Sequence, residues 1–325
     1  MPDSARPVFL TGGTGVLGRA VLPLLTAAGF QARALSRSPQ NALSIRKLGG
    51  EPVEANLNQP SDLRRAVAGC GAILHLATHI PPTSEMRRPN AWAQNDFLRR
   101  EVTRALVEAA AAEDVSVFIY PSVCRVYPDS GDRWIDAESS ATHGAVLVQS
   151  TLEAEEHVMG FGQSAQALRA VVREFPESRR RSVVLRMGQF YGPESAQTVD
   201  EIRMARWRLV APFGRPEAYR CVIWIEDAAT AITAALASLA GGIYDVVDDA
   251  PLTCRESIAA LASAVGKRKL FRLPRWVVKS AVGPDLFDLI GRSQRVSNRR
   301  TKGVLGWRPI MTCLPEGLAR LTRPQ

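Results

Sequence analysis

Short apolar runs alternate with longer amphipathic stretches through the first half of the chain. Val8, Phe9 and Leu10 suit a first strand, and residues 19–28 suit the helix after it. Residues 32–35, 51–55, 72–77, 115–120 and 181–186 read as five further strands, while 95–112 and 152–161 have helical composition. Strand and helix in strict alternation is the pattern of a parallel sheet covered on both faces. After Gly192 and Pro193 the regularity weakens. Residues 223–225 and 243–247 read as late strands, and 252–265 as an amphipathic helix. The expected class is α/β, a doubly wound parallel (Rossmann) sheet with a smaller C-terminal substrate lobe. The division falls at residues 1–190 and 191–325, with late elements, about 223–247, returning to the main sheet.

The link between the first strand and its helix is the most informative segment. Thr11, Gly12, Gly13, Thr14, Gly15, Val16, Leu17 and Gly18 spell T-G-G-T-G-V-L-G. A strand, a tight glycine turn and a helix N-terminus make a cradle for pyrophosphate. Gly13 and Gly15 are expected to let the backbone approach the phosphates, and Gly18 to let helix and strand pack closely.

Composition is that of an ordinary soluble protein, 46% hydrophobic and 22% charged over 325 residues. The five cysteines are scattered, an odd set that points to reduced thiols in a cytoplasm rather than a disulfide framework. The longest apolar stretch, 228–240, is too short to span a bilayer. Between Lys267 and Lys302 eleven basic residues face two acidic ones, which accounts for the whole formal charge of +9. A solvated basic surface is one explanation, and an anionic substrate or partner the other. No recognised motif accompanies the charge, so nucleic acid is not expected.

Several further segments, in order, resemble the extended short-chain dehydrogenase/reductases, the group of nucleotide-sugar epimerases and dehydratases. They are the glycine turn; H-L-A-T at 75–78, with Leu76, Ala77 and Thr78 beside the cofactor; and Asn95, at the start of a helix. V-L-R-M-G-Q-F-Y-G-P at 184–193 follows, with Met187 in place of the family's Pro and Gly188 after it, then W-I-E-D-A-A at 224–229. The resemblance covers nearly the whole length. It implies a nicotinamide dinucleotide, a small-molecule substrate and a possible homodimer through the helices at 95–112 and 152–161.

Ser36 and Arg37 stand where NAD-binding members carry an acid for the adenosine ribose. A hydroxyl and a guanidinium suit a 2′-phosphate, so NADP is favoured over NAD, the alternative being that Arg37 is a surface cation. Asn56, followed by Leu57, replaces the Asp that the family aims at the adenine amine. Its amide oxygen can still accept that bond.

The catalytic positions depart from the pattern. No Tyr is followed four residues later by Lys anywhere in the chain. The resemblance places Leu147 at the Tyr, Thr151 at the Lys and Val123 at the hydroxyl position, with Ser122 one residue early. Val and Leu have no proton to give. Cys124 and Arg125 occupy positions where dehydratases put acidic groups. A thiol beside a guanidinium is biased toward thiolate and could act as acid, base or nucleophile; the plainer alternative is a small buried Cys and a structural Arg. His79 and His143 fall near the implied cleft, and Gln189 and Arg206 are candidate substrate contacts. No metal site is indicated. Three functions remain open: an NADP-dependent oxidoreductase with non-standard acid–base residues, a non-redox lyase or cyclase that keeps the cofactor, and a catalytically silent NADP(H) sensor.

Overall fold

A computed structural model describes residues 6–82, 85–88, 90–141, 146–171 (main chain only from 163) and 180–323. Five strands open the fold: β1 (Val8–Thr11), β2 (Ala32–Ser36), β3 (Glu51–Glu54), β4 (Ala72–His75) and β5 (Val117–Val123). The short β6 (Trp134–Ile135) follows, then β7 (Arg181–Met187), β8 (Gln189–Tyr191), β9 (Leu209–Val210), β10 (Tyr219–Arg220), β11 (Val222–Trp224) and β12 (Gly242–Val246). The main sheet is seven-stranded and parallel, in the order β12-β7-β5-β4-β1-β2-β3. The doubly wound sheet expected from the alternation is therefore present, and the late strand β12 joins its edge.

Alternation along β1 explains the layering. Val8 and Leu10 point into one core with α1 (Val16–Ala27), while Phe9 points into the other. The second core is closed by α3 (Pro60–Val67), α5 (Thr103–Ala112) and α6 (Val146–Val171). Each fully buried Phe or Leu in these layers contributes roughly 1.5–3 kcal/mol. Between them run α2 (Pro39–Lys47) and α4 (Ala93–Phe97); α4 continues through a wide-wound turn, Leu98–Val102, into α5. Asn95 thus lies inside a helix that starts two residues earlier.

Pro121 sits in the central strand β5, where a proline would cost a ladder bond. The β4 pairing ends at Ile119, so Pro121 needs no N–H on that side. Beyond that point the carboxyl ends of β4 and β5 separate, beside the place where strand order reverses around β1. Crevices of this kind hold ligands in open α/β sheets.

The remaining elements follow in chain order. They are α7 (Ala196–Arg206), α8 (Ile225–Ala237), β13 (Leu252–Thr253), α9 (Cys254–Ala264), β14 (Phe271–Arg272), α10 (Arg275–Val282), α11 (Pro284–Ile290), β15 (Arg295–Val296), α12 (Arg299–Leu305) and α13 (Leu314–Thr322). The short strands pair as β6 with β15, β8 with β11, β9 with β14 and β10 with β13. Helix α8 belongs to the main body, packed with α1. Asp227 in α8 accepts the Ile310 and Met311 N–H groups at 2.8 Å, tying the chain before α13 to it. No helix among the described residues is long and apolar enough to cross a membrane.

Candidate functional site

The glycine turn is built as a cradle. Gly12 has φ +72°, and a Cβ there would lie 2.7 Å from the Leu76 carbonyl and Ala77 nitrogen. At Gly18 a Cβ would come within 2.2 Å of the Gly12 oxygen. Both positions need glycine, one for a left-handed turn and one for close approach. The expectation for Gly13 changes: its free side faces Ala34 and Leu22 in the core, not the phosphate side. Gly15 caps α1, and only the Gly12 oxygen lies near its open side. The Thr14 carbonyl accepts a hydrogen bond from the Arg19 guanidinium at 3.0 Å, and Val16 and Leu17 begin the helix, whose N-terminus suits an anion.

Thr11 is spent inside the protein. Its Oγ1 accepts the Ala77 N–H at 3.2 Å, and a 2.6 Å hydrogen bond joins it to His75 Nδ1. With the hydroxyl proton directed at Nδ1, the Nε2–H of His75 donates to the Leu98 carbonyl at 3.2 Å. Burial lowers the His75 pKa to about 4, so the ring is a neutral pin between β1, β4 and the helix behind them.

The other cofactor candidates collect along the same carboxyl edge. Leu76, Ala77 and Thr78 follow β4, and the His79 N–H donates to Asn95 Oδ1 at 3.1 Å. Ser150 Oγ donates to Asp96 at 2.7 Å, which fixes α6 against α4. The neighbours of that pair, Asn95 and Thr151, are fully buried, and Asn95 Nδ2 and Thr151 Oγ1 have no hydrogen-bond partner. Two orphan polar atoms at one junction fit a bound ligand that satisfies them. Met187 pairs in register with Val123 at the ends of β7 and β5, and Gly188 follows.

At the adenosine end, Ser36 is buried and its Oγ donates to the Ser38 carbonyl. Arg37 is exposed and pairs with no acid among the described residues. Asn56 Oδ1 already accepts the Asn58 N–H at 3.0 Å, so one of its two lone-pair sites is occupied, and Leu57 packs behind it.

The expected catalytic groups separate. Residues Cys124–Val126 form a tight 3₁₀ turn, which sends Cys124 inward and Arg125 outward. Cys124 is 1% exposed, its Sγ donates to the Arg186 carbonyl, and burial raises its pKa well above the ordinary thiol value. The thiolate expected beside Arg125 is corrected by this burial. Ser122 is likewise withdrawn, 2% exposed, with its Oγ donating to Glu155. His79 is exposed at the edge, and His143 lies outside the described residues. Leu147 packs with Val148, Val126 and Leu289 in an apolar cluster.

Beneath these positions runs a buried polar chain that local sequence patterns do not reveal. Arg186 Nη2 donates to Glu155 at 2.7 Å, and its guanidinium lies 4.9 Å from the Tyr127 ring centre. The Tyr127 hydroxyl donates to Asp245 at 2.7 Å, and burial raises the Asp245 pKa to about 7. The hydroxyl of Tyr191 donates to Asp248 at 2.8 Å, and burial raises that carboxyl to about 8.

Arg125 instead lines a cavity between β8, α7, α9 and the segment after β9, together with Gln189, Arg220 and Ser257. Its guanidinium donates to Gln189 Oε1 at 3.0 Å, the Ile290 carbonyl at 3.1 Å and Gln294 Oε1 at 3.3 Å. No carboxylate among the described residues holds it. Burial first, and then Arg220 and Arg292, pull its pKa below the usual guanidinium value. Arg206 is exposed on the last turn of α7 and is not among the residues that line this cavity.

A sequence model of the NAD dependent epimerase/dehydratase family matches residues 8–246. The chain belongs to that family, within the extended short-chain dehydrogenase/reductases. It is 25% identical over 319 residues to the 3-diazoavenalumate denitrifying reductase of a Streptomyces species, covering 96% of this chain and 99% of that one. Over 319 residues it is 24% identical to the 2-alkyl-3-oxoalkanoate reductase of Shewanella oneidensis, covering 94% and 75%. The fold matches the human epimerase family protein SDR39U1 (isoform 2) crystallised with NADPH, at TM-score 0.80 and 21% identity, covering 97% and 99%. The glycine turn and the family both support a nucleotide cofactor.

Proposed function

We propose that this chain is an NADP(H)-dependent oxidoreductase of a small molecule that carries a carboxylate close to the reacting centre. Arg125 is the observation that carries the substrate half of this reading. A guanidinium that is enclosed by protein, held only by neutral oxygens and aimed into a cavity, favours a bidentate anion in that cavity. Its place two residues after β5 puts the anion next to the site where the family's catalytic hydroxyl stands. One relative fits this chemistry by name, since a 2-alkyl-3-oxoalkanoate carries its carboxylate one carbon from the keto carbon, and the diazoavenalumate of another is also a carboxylate.

NADP supplies or accepts the hydride when bound. Gly12 and Gly18 let the turn close tightly against the end of β4 and the start of α1, which shapes the pyrophosphate cradle, and the exposed cation of Arg37 suits a 2′-phosphate. Thr151 takes the place of the family's lysine, where its hydroxyl is free to bond a ribose oxygen. It supplies no charge. With Leu147 opposite, no phenol reaches the substrate oxygen, so the proton comes from solvent at the cleft mouth, where His79 is the exposed titratable side chain. Small 2-oxo and 3-oxo acids, tested beside their amides, should oxidise NADPH while the amides do not. Arg125→Met should raise KM about tenfold to a hundredfold, the loss of a charged hydrogen bond. Equal turnover of acids and amides would remove the carboxylate from the reading. Product formation without NADPH oxidation would favour the lyase or cyclase instead.

A further inference from the structure

The face around β9 and β14 presents large aromatic side chains to water beside clustered cations. Trp207 is 79% exposed, Phe271 62% and Trp276 74%, with Leu209 also outside. Leu209 and Phe271 are register partners in the β9–β14 pair, so their side chains stand on the same face of that ribbon. Trp207 ends α7 one residue before Arg208, and the Phe271 N–H bonds the Arg208 carbonyl at 2.6 Å. Arg208, Arg268, Lys269 and Phe271 line one shallow groove. Trp276 lies in the first turn of α10, immediately after β14. Arg206, Arg272 and Arg275 are exposed within the same two stretches.

The acids nearby are few. Asp200 pairs with Arg203, Glu201 lies 3.6 Å from Arg220, and Asp288 lies 3.6 Å from Lys279. The cations at 206, 208, 268, 269 and 272 are exposed and pair with no carboxylate among the described residues.

We propose that this face docks the protein on an anionic phospholipid bilayer. Tryptophan and phenylalanine seat at the boundary between headgroups and acyl chains, and surrounding Lys and Arg attract acidic headgroups. Phe271 could stack on a base, but the aliphatic Leu209 beside it could not, whereas a bilayer takes up both. Continuity with the cavity gives the docking a purpose: Leu209 is on the patch, and Val210 to Phe213 line the cavity that Arg125 enters. A docked molecule would present that opening to amphiphilic carboxylates dissolved in the membrane.

The test is sedimentation of the full chain with vesicles of phosphatidylcholine alone or mixed with phosphatidylglycerol, with tryptophan emission recorded on the same samples. The chain should pellet with the acidic vesicles, shift its emission to the blue and release at high salt, while phosphatidylcholine leaves it in solution. Replacing Trp207 and Trp276 by Ser should weaken partitioning about tenfold, and Arg268→Glu with Lys269→Glu should abolish the preference for acidic lipid. Both pairs are exposed, and unchanged thermal melting confirms their fold. Failure to pellet with acidic vesicles, an unchanged partition in both variants, or displacement from vesicles by a single-stranded oligonucleotide would overturn the proposal. NADPH plays no part in the measurement, so its outcome is separate from that of the oxidoreductase reading.

Discussion

Arg186 and Glu155 form a bidentate ion pair under α6, 2.7 Å between Nη2 and Oε2, with side chains only 6% and 5% exposed. Ser122 adds a hydrogen bond to the same carboxylate. One partner left alone would be an unpaired buried charge. Glu155→Gln or Arg186→Met should therefore cost roughly 3–5 kcal/mol in urea unfolding. The double variant should recover part of that loss. Single variants as stable as the parent would show that the pair is not held as described.

Gly18→Ala places a methyl against the Gly12 carbonyl, where 2.2 Å is available. The turn has to open, so NADPH affinity should fall at least about tenfold, because the cradle's N–H groups lose their common focus. Gly29→Ala, at a left-handed turn away from the cradle, should cost stability but leave affinity unchanged. Calorimetric titration of both variants separates the two effects.

The raised carboxyls of Asp245 and Asp248 give a pH signature. Each pKa, about 7 and about 8, lies above the ordinary value of 3.8, so the folded protein holds protons that the unfolded chain has released. Stability from this source is present at low pH and declines as pH rises toward the folded pKa values. His75 acts oppositely, since its folded pKa of about 4 withdraws stability as pH falls below its ordinary 6.5. Between pH 6.5 and 8 the carboxyl effect stands alone, at up to about 1.4 kcal/mol per pH unit for each proton. Urea midpoints should fall across that window, and Asp248→Asn should flatten the decline. A midpoint that rises with pH there would contradict the assignment.

Arg37, exposed at the end of β2, pairs with no acid among the described residues. Replacing it with Glu should reverse cofactor preference by weakening NADPH roughly a hundredfold while NADH changes little. Unchanged NADPH affinity would mark Arg37 as a bystander.

Much of this architecture is legible in the residues themselves. Strand period, helix spacing and the glycine turn are local, and β7 and β12 fall within a residue or two of their expected bounds. For Cys124 the buried alternative holds and the thiolate reading does not: the direction of a side chain after a strand depends on the turn type, and the 3₁₀ turn separates the pair. The Tyr127–Asp245 bond joins residues 118 apart. Only the closing of β12 onto β7 brings them together. The Arg186–Glu155 pair had a faint signal in two charges set within apolar segments. Arg125 was seen as a cleft residue, but its lack of a carboxylate is a property of the assembled lobe.

The most direct measurement is calorimetric titration of the purified chain with NADPH and with NADH. A single saturable site that binds NADPH more tightly, in a chain with Leu147 and Thr151 where the family has its Tyr and Lys, is the predicted result. No heat from either nucleotide at concentrations that saturate related reductases would contradict it.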